Sequence, residues 1–271
     1  MSVGSEFQNY SPELIARLSP EEQDELLWLL EAEEQSKIDK ACAQWIVSHK
    51  AGPMFWLRNH TATENYHWKE QNLPPVAPFP YKPHPGFNEE HLRILDALKI
   101  PHDFTTSDPP DYLDVIMGFF LAQKFTLVPK SREMITTWSA VGFITWCCQF
   151  NEKMEWLGQS EQDEKAKGCI RYANILYRNQ PEWMKKLHPL KRGDEGTAHS
   201  IEWASGSRFI AVPQGERQSA SYHPYGYFND ESAHQVGWKQ TWDVAGRACK
   251  KMIGVSSAAP SDFGLACEMQ G

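Results

Sequence analysis

Absent from the 271-residue sequence are the short-range signatures of common metal and redox sites. Its six cysteines, Cys42, Cys147, Cys148, Cys169, Cys249 and Cys267, include no pair at the two-residue spacing of a zinc knuckle or dithiol motif, so reduced, mostly buried thiols are expected. His84, His91, His188, His223 and His234 fall into no HExxH or related array, which argues against transition-metal chemistry. Long hydrophobic runs are missing too. The longest, from about Trp138 to Cys148, falls short of the roughly 20 residues that span a bilayer. No basic segment followed by an apolar one opens the chain, and a cytoplasmic protein is expected.

Positive charge is scarce: 27 Lys and Arg face 35 Asp and Glu, for a net charge of -8. That balance excludes a surface sheathing nucleic acid throughout, because non-specific affinity comes from cations neutralising phosphates. Any DNA contact must be local. The best stretch runs from Lys165 through Lys167, Arg171, Arg178, Lys185 and Lys186 to Lys191 and Arg192, with a solvated helix face as its competing reading.

What is present is core material, with 41% hydrophobic and 12% aromatic residues. Residues 1–10, opening "MSVGSEF", read as a disordered or vector-derived start, and residues 11–110 as a helical and proline-rich lead-in. Within the lead-in, Ser19-Pro20-Glu21-Glu22 has capping-box form, and Leu26, Leu27, Leu29 and Leu30 supply an apolar face to a helix running to about Lys50. Prolines crowd "LPPVAPFPYKPHPGF" and "SDPPD" around a helical pattern from Glu89 to Leu98, predicting an extended arm that Phe79, Tyr81 and Phe87 pack down. From residue 111 to 271 short apolar runs alternate with helical ones, the pattern of an α/β domain with a mainly parallel sheet. Strands are expected near Lys124–Val128, Glu155–Gly158, Tyr225–Asn229 and Lys251–Ser256, and helices starting near Thr136, Gln162 and Trp238. Ser200–Trp203 and Arg208–Val212 flank a short turn holding Gly206 and read as a hairpin.

Three segments carry candidate chemistry. In "FTLVPKSREMITTWSAVGFITW" a β-rich run meets a polar loop and then an apolar helix opened by two threonines, the order of a phosphate-binding loop. Aligned on GxxxxGK[ST], Thr137 takes the last place, Thr136 the lysine, Ile135 the second glycine and Lys130 the first. The ordinary motif is therefore absent, and the lysine stands at the other end of the loop, from where its side chain can reach phosphate as a point charge. A strand-to-helix turn that happens to hold a lysine fits the same residues. "YHPYGYFNDESAH" ends a strand in two acids, as where Asp230 would coordinate Mg²⁺ and Glu231 would orient and deprotonate water; acids at a solvent-facing strand end are the alternative. "KMIGVSSAAP" stops a hydrophobic strand at Ser256 and Ser257, followed by Ala258, small residues suited to sensing a γ-phosphate. Their joint order is more telling than any one of them.

These segments resemble the large terminase subunits of tailed bacteriophages, over about Phe55 to Gly264. Lys130 to Trp138 match the K-S-R-x-M-x-[ST]-[ST]-W of family members with a shifted lysine. "WLGQSEQDEKA" is similar to the family's strand with Q-S-x-x-D, "IEWASGSRFIAVP" to its E-W-x-x-G-S hairpin, "HPYGYFNDESAH" to its acid-paired segment and "VSSAAP" to its coupling motif. The resemblance implies an ASCE-type P-loop ATPase that binds ATP and Mg²⁺ and drives double-stranded viral DNA into a procapsid. Its nucleotide site would comprise Lys130, Ser131, Arg132, Glu133, Met134, Ile135, Thr136 and Thr137, with Tyr81 and Lys82 of "PFPYKPHP" on the adenine side. Thr137 and Asp230 would hold the metal, and Glu231, Lys130 and Arg132 would be catalytic. Coupling would run through Ser256, Ser257 and Ala258, Arg217 would sense charge or contact a neighbouring subunit, and Lys185, Lys186, Lys191 and Arg192 would meet DNA. Implied partners are the portal protein, the procapsid, the small terminase subunit and further copies in a five-membered ring in the bacterial host cytoplasm, with a monomer in isolation. The family's nuclease domain is expected to be absent. A weakly catalytic assembly or DNA-binding module and a helicase-like translocase are the alternatives.

Overall fold

The computed structural model describes residues 19–65, 69, 72–81, 86–131, 134–193, 195–215, 222, 224–257 and 259–270. Contacts divide the chain into two units, Met1–Trp45 and Ile46–Gly271. Helix α1 (Pro20–Ser48), most of which belongs to the first, begins with proline at its first position, where the missing N–H costs nothing. Of the leucines expected to form an apolar face there, Leu27 and Leu29 are 56% and 38% exposed, Leu30 is half-buried, and the side chain of Leu26 lies outside the described residues. Adjacent apolar residues at 100° per residue spread round a helix instead of lining one stripe.

The second unit opens with α2 (Gly52–His60) and a two-stranded antiparallel sheet of β1 (Ala62–Glu64) and β2 (Val76–Pro78). Part of the expected proline-rich arm is thus sheet-paired, and Phe79 just beyond it is buried while Tyr81 is exposed. Helix α3 (Glu89–Ala97) follows, capped by Asn88, whose side-chain oxygen accepts from the backbone N–H of Glu90 and His91. Helix α4 (Tyr112–Ala122), which the sequence pattern did not separate from its surroundings, starts with a capping box. Asp111 accepts from Leu113 N–H at 2.7 Å, and Asp114 accepts from Asp111 N–H at 3.1 Å. Arg58 on α2 grips both carboxylates, 2.9 Å from Asp111 and 2.8 Å from Asp114. Burial nevertheless holds the Asp114 carboxyl above its ordinary range, against the pull of Arg58.

The core is a six-stranded sheet in the order β3-β8-β7-β4-β6-β5. Strands β3 (Phe125–Lys130), β8 (Lys251–Ser257), β7 (Gly226–Asp230), β4 (Glu155–Gln159) and β6 (Arg208–Val212) are parallel, and β5 (Ser200–Glu202) joins β6 antiparallel as the expected hairpin. All four expected strands therefore exist, with ends shifted by a residue or two. Every residue of β7 is buried, as a strand covered on both faces requires. Gly226 makes room for its register partner Trp156, since a Cβ there would lie 2.5 Å from the indole.

Helix α5 (Thr136–Phe150) follows β3, α6 (Asp163–Arg178) and α7 (Glu182–Leu187) follow β4, and α8 (Trp238–Ala248) lies between β7 and β8. Helix α9 (Asp262–Gln270) ends the described chain. Thirteen of the fifteen residues of α5 are buried, which its nearly unbroken apolar sequence permits. Lys251, at the start of β8, is also buried and donates its ammonium to the carbonyls of Phe120, Leu121 and Gln123, binding the sheet to the negative end of α4. No helix among the described residues is long and apolar enough to cross a membrane.

Candidate nucleotide site

The loop between β3 and α5 is where a glycine would ordinarily stand at residue 135. Ile135 occupies it with φ of 57°, so a β-branched side chain holds the left-handed backbone that glycine adopts without penalty. Tyr112 on α4 supports the loop, its hydroxyl donating to the Met134 carbonyl at 2.8 Å. Among the described residues no side chain caps the start of α5, which leaves first-turn N–H donors for a ligand or water at the positive end of the helix dipole.

Thr136 and Thr137 open α5 with different duties. Thr136 is buried, and its hydroxyl donates to the Met134 carbonyl at 3.5 Å; Thr137 donates to Asp230 Oδ1 at 3.0 Å. Asp230 ends β7, two strands from β3, and the parallel arrangement brings both carboxyl ends to one edge. Burial pushes the Asp230 carboxyl up to about 6, opposed by Lys130, reinforced by Glu231 and opposed again by the Thr137 hydrogen bond. Lys130 Nζ lies 3.6 Å from Glu231 Oε1, so the displaced lysine reaches the acid pair.

Behind the acids lies a buried polar network. Tyr227 donates to Gln159 Oε1 at 2.5 Å, Asn229 Nδ2 donates to Tyr227 and to Gln235 Oε1 at 3.0 Å each, and Gln235 Nε2 donates to the Asp230 carbonyl at 2.7 Å. Ser232 donates to Asn229 Oδ1 at 2.7 Å. The network holds the strand end where Glu231 turns with φ of 51°, a left-handed conformation costly for a non-glycine residue. Ser256 and Ser257, at the end of β8, both meet this turn: Ser256 accepts from Ala233 N–H at 3.0 Å and Ser257 donates to Glu231 Oε2 at 3.4 Å.

A cavity of about 770 Å³ opens over these groups, lined by Lys130, Met134 to Trp138, Asp230 and Glu231 on one side. Residues the sequence had not assigned to a nucleotide site line the other: Thr63 and Glu64 from β1, and Lys165, Arg171 and Tyr172 from α6. Lys165 pairs with Glu161 and its ammonium is held above the ordinary lysine range, first by that hydrogen bond and also by Glu161, Glu231 and Asp230. Arg171 sits 3.3 Å from Glu64, and Tyr172 stacks on Trp138 at 4.1 Å. The basic run read along the sequence is only partly divided in space: Lys165 and Arg171 face this cavity, while Arg171 also lines a cleft of about 490 Å³ with Lys167 and Arg178. Further along the run, Lys185 pairs with Glu182, Lys191 lies 3.1 Å from Glu202, and Lys186 and Arg192 are exposed. Periodicity could have flagged the division: Lys165 and Tyr172 are seven residues apart, two turns along one helix face.

Other expected site residues stand apart. Tyr81 lines a separate cavity of about 360 Å³ with Met54, His102 and Phe104, under the Arg58 guanidinium 5.0 Å from its ring. It is not brought to the loop of residues 130–137. Ser131 is exposed. Lys82, Arg132, Glu133, Arg217 and Ala258, with His84 and His223, lie outside the described residues.

No family model matches the sequence, and no curated protein does. Among solved structures the chain is similar to the HK97 bacteriophage large terminase, at 11% identity and a TM-score of 0.46, over 63% of this chain and 36% of that one. Similarity extends to the ATPase domain of the Thermus phage P74-26 large terminase, at 9% identity and a TM-score of 0.34, over 51% of this chain and 61% of that domain. The large terminase of a thermophilic bacteriophage in complex with ADP follows, at 14% identity and a TM-score of 0.30, over 49% of this chain and 33% of that one. The match to the HK97 protein thus spans about a third of its length. These three solved structures to which this α/β chain is similar are of bacteriophage large terminases.

Proposed function

We propose that the chain is the ATP-hydrolysing motor domain of a bacteriophage large terminase, using Mg-ATP to drive double-stranded viral DNA into a procapsid. One observation carries the ATPase reading. At the uncapped start of α5, the Thr137 hydroxyl lies 3.0 Å from Asp230, and Lys130 lies 3.6 Å from Glu231, the carboxylate next to it. The terminase part of the reading is supported by the Lys130 to Trp138 motif, with its lysine at the front of the loop.

Magnesium fits the donors present. A buried carboxylate raised to about 6 is short of compensating charge, and a hydroxyl stands beside it. Two protein oxygens are what a small hard cation accepts when it keeps most of its waters. Thr137 and Asp230 would hold the ion, which supplies charge neutralisation between phosphates when bound. The first-turn N–H groups of α5 would donate to phosphate oxygens, and Lys130 would add a point charge from the front of the loop. Glu231, turned into the cavity by its strained backbone, orients the attacking water and accepts its proton. Partners in this reading are the DNA, the portal and procapsid, and further copies of the chain.

Steady-state ATPase assays on wild type, Lys130→Ala and Glu231→Gln test it. Loss of charge neutralisation or water positioning is expected to lower turnover by roughly 10²- to 10³-fold or more. Equal residual rates in all three proteins would sink the assignment.

A further inference from the structure

We infer that His234 is a positioning residue for Glu231, acting through the hydroxyl of Ser257; this rests on the ATPase reading above. The two oxygens of the Glu231 carboxylate are engaged by different strands. Oε1 faces Lys130 at the end of β3, 3.6 Å away, and Oε2 accepts from Ser257 Oγ at the end of β8, 3.4 Å away. Ser257 is in turn 3.1 Å from His234 Nε2. The 3₁₀ turn Ser232–His234 folds the imidazole back over β8, fixed by the His234 N–H to Glu231 carbonyl bond at 3.0 Å and by Ala233 N–H on Ser256 Oγ at 3.0 Å.

Counting protons gives this chain a direction. Ser257 has one hydroxyl hydrogen, and while that hydrogen points at Glu231 its oxygen accepts from His234, so Nε2 must carry a proton. The neutral Nε2–H tautomer and the imidazolium both meet that requirement, and the relay needs no titration. With the donor removed, the serine hydroxyl has a second direction to point, and one oxygen of Glu231 loses its fixed partner. Lys130 alone cannot aim the carboxylate, because a flexible ammonium is a point charge without directional preference. The expected consequence is a misdirected base with unchanged nucleotide grip, since His234 is not among the residues lining the cavity.

Turnover and KM for ATP are to be measured on wild type, His234→Ala, His234→Gln, Ser257→Ala and the His234→Ala/Ser257→Ala double variant. His234 is exposed, so its substitution should leave the fold intact. His234→Ala is expected to lower kcat about 10- to 100-fold, the scale of a misplaced catalytic group, with KM changed less than about twofold. Glutamine, which carries an N–H donor at a similar reach, is expected to restore most of the loss, and the double variant to match Ser257→Ala. Selective ¹⁵N-histidine NMR gives a readout free of activity: Nε2 protonated, with a resonance that moves in Ser257→Ala. Wild-type kcat in His234→Ala, no rescue by glutamine, or a neutral His234 protonated on Nδ1 would each overturn the inference. Absence of ATP turnover in the wild type would instead remove the ATPase reading, while the tautomer still decides whether the chain of hydrogen bonds exists.

Discussion

Replacing Asp230 by Asn should stabilise the metal-free protein while disabling the proposed site. Asp230 is 8% exposed, and its surroundings raise its carboxyl from 3.8 to about 6. At about 1.4 kcal/mol per pH unit, that rise corresponds to roughly 3 kcal/mol. The sign follows from proton counting. Between the two values the folded state binds the proton more tightly than the unfolded chain, so stability falls as pH rises through this window. The cost is absent below about pH 4 and complete above about pH 6. Asparagine cannot ionise, yet its amide oxygen can still accept from Thr137. The stability gap between Asp230→Asn and wild type should therefore widen by about 3 kcal/mol between pH 4 and pH 7.5 in EDTA, measured by urea denaturation. At neutral pH this is roughly 6–12 °C in melting temperature. Added Mg-ATP should stabilise the wild type and leave the variant nearly unaffected, because a ligand that binds only the native state shifts its stability. Parallel pH profiles for the two proteins, or a variant less stable at neutral pH, would refute the account of a carboxylate held at a cost for binding a cation.

Arg58→Ala should destabilise by about 3–5 kcal/mol in chemical denaturation, because it leaves the fully buried Asp111 without its cation; a change under about 1 kcal/mol would contradict that. Lys251→Met should cost about 2–4 kcal/mol, since three carbonyls at the end of α4 lose their ammonium donor. Wild-type stability in that variant would show that water replaces the amine without loss. Ile135→Gly should leave stability within about 1 kcal/mol of wild type, relief of the left-handed strain offsetting the entropy of a freer unfolded chain. A loss well beyond that in denaturant would mean the isoleucine side chain matters more to packing than its backbone strain costs.

The sequence by itself determined the α/β alternation, the four strand cores and the places where β3, β7 and β8 end in polar residues. Those features are local: strands covered on both faces must be apolar, and they stop where chemistry begins. It also located the lysine at the front of the loop, because Thr137 anchors the alignment whatever stands between. Only the tertiary structure decided which distant residues meet. Inserting β8 between β3 and β7 brings Ser256 and Ser257 to the turn after Asp230, and no local pattern encodes that neighbourhood. Packing α6 and β1 around one cavity brought Lys165 and Arg171 of the basic run beside the loop of residues 130–137, and Tyr81 was placed in a different cavity. Leu27 and Leu29 of α1 mark the same boundary, since composition announces an apolar helix but burial depends on what packs against it. Elements were legible because periodicity is a property of neighbouring residues; the candidate site was legible only at strand ends, because its remaining walls come from folding together segments that the chain keeps far apart.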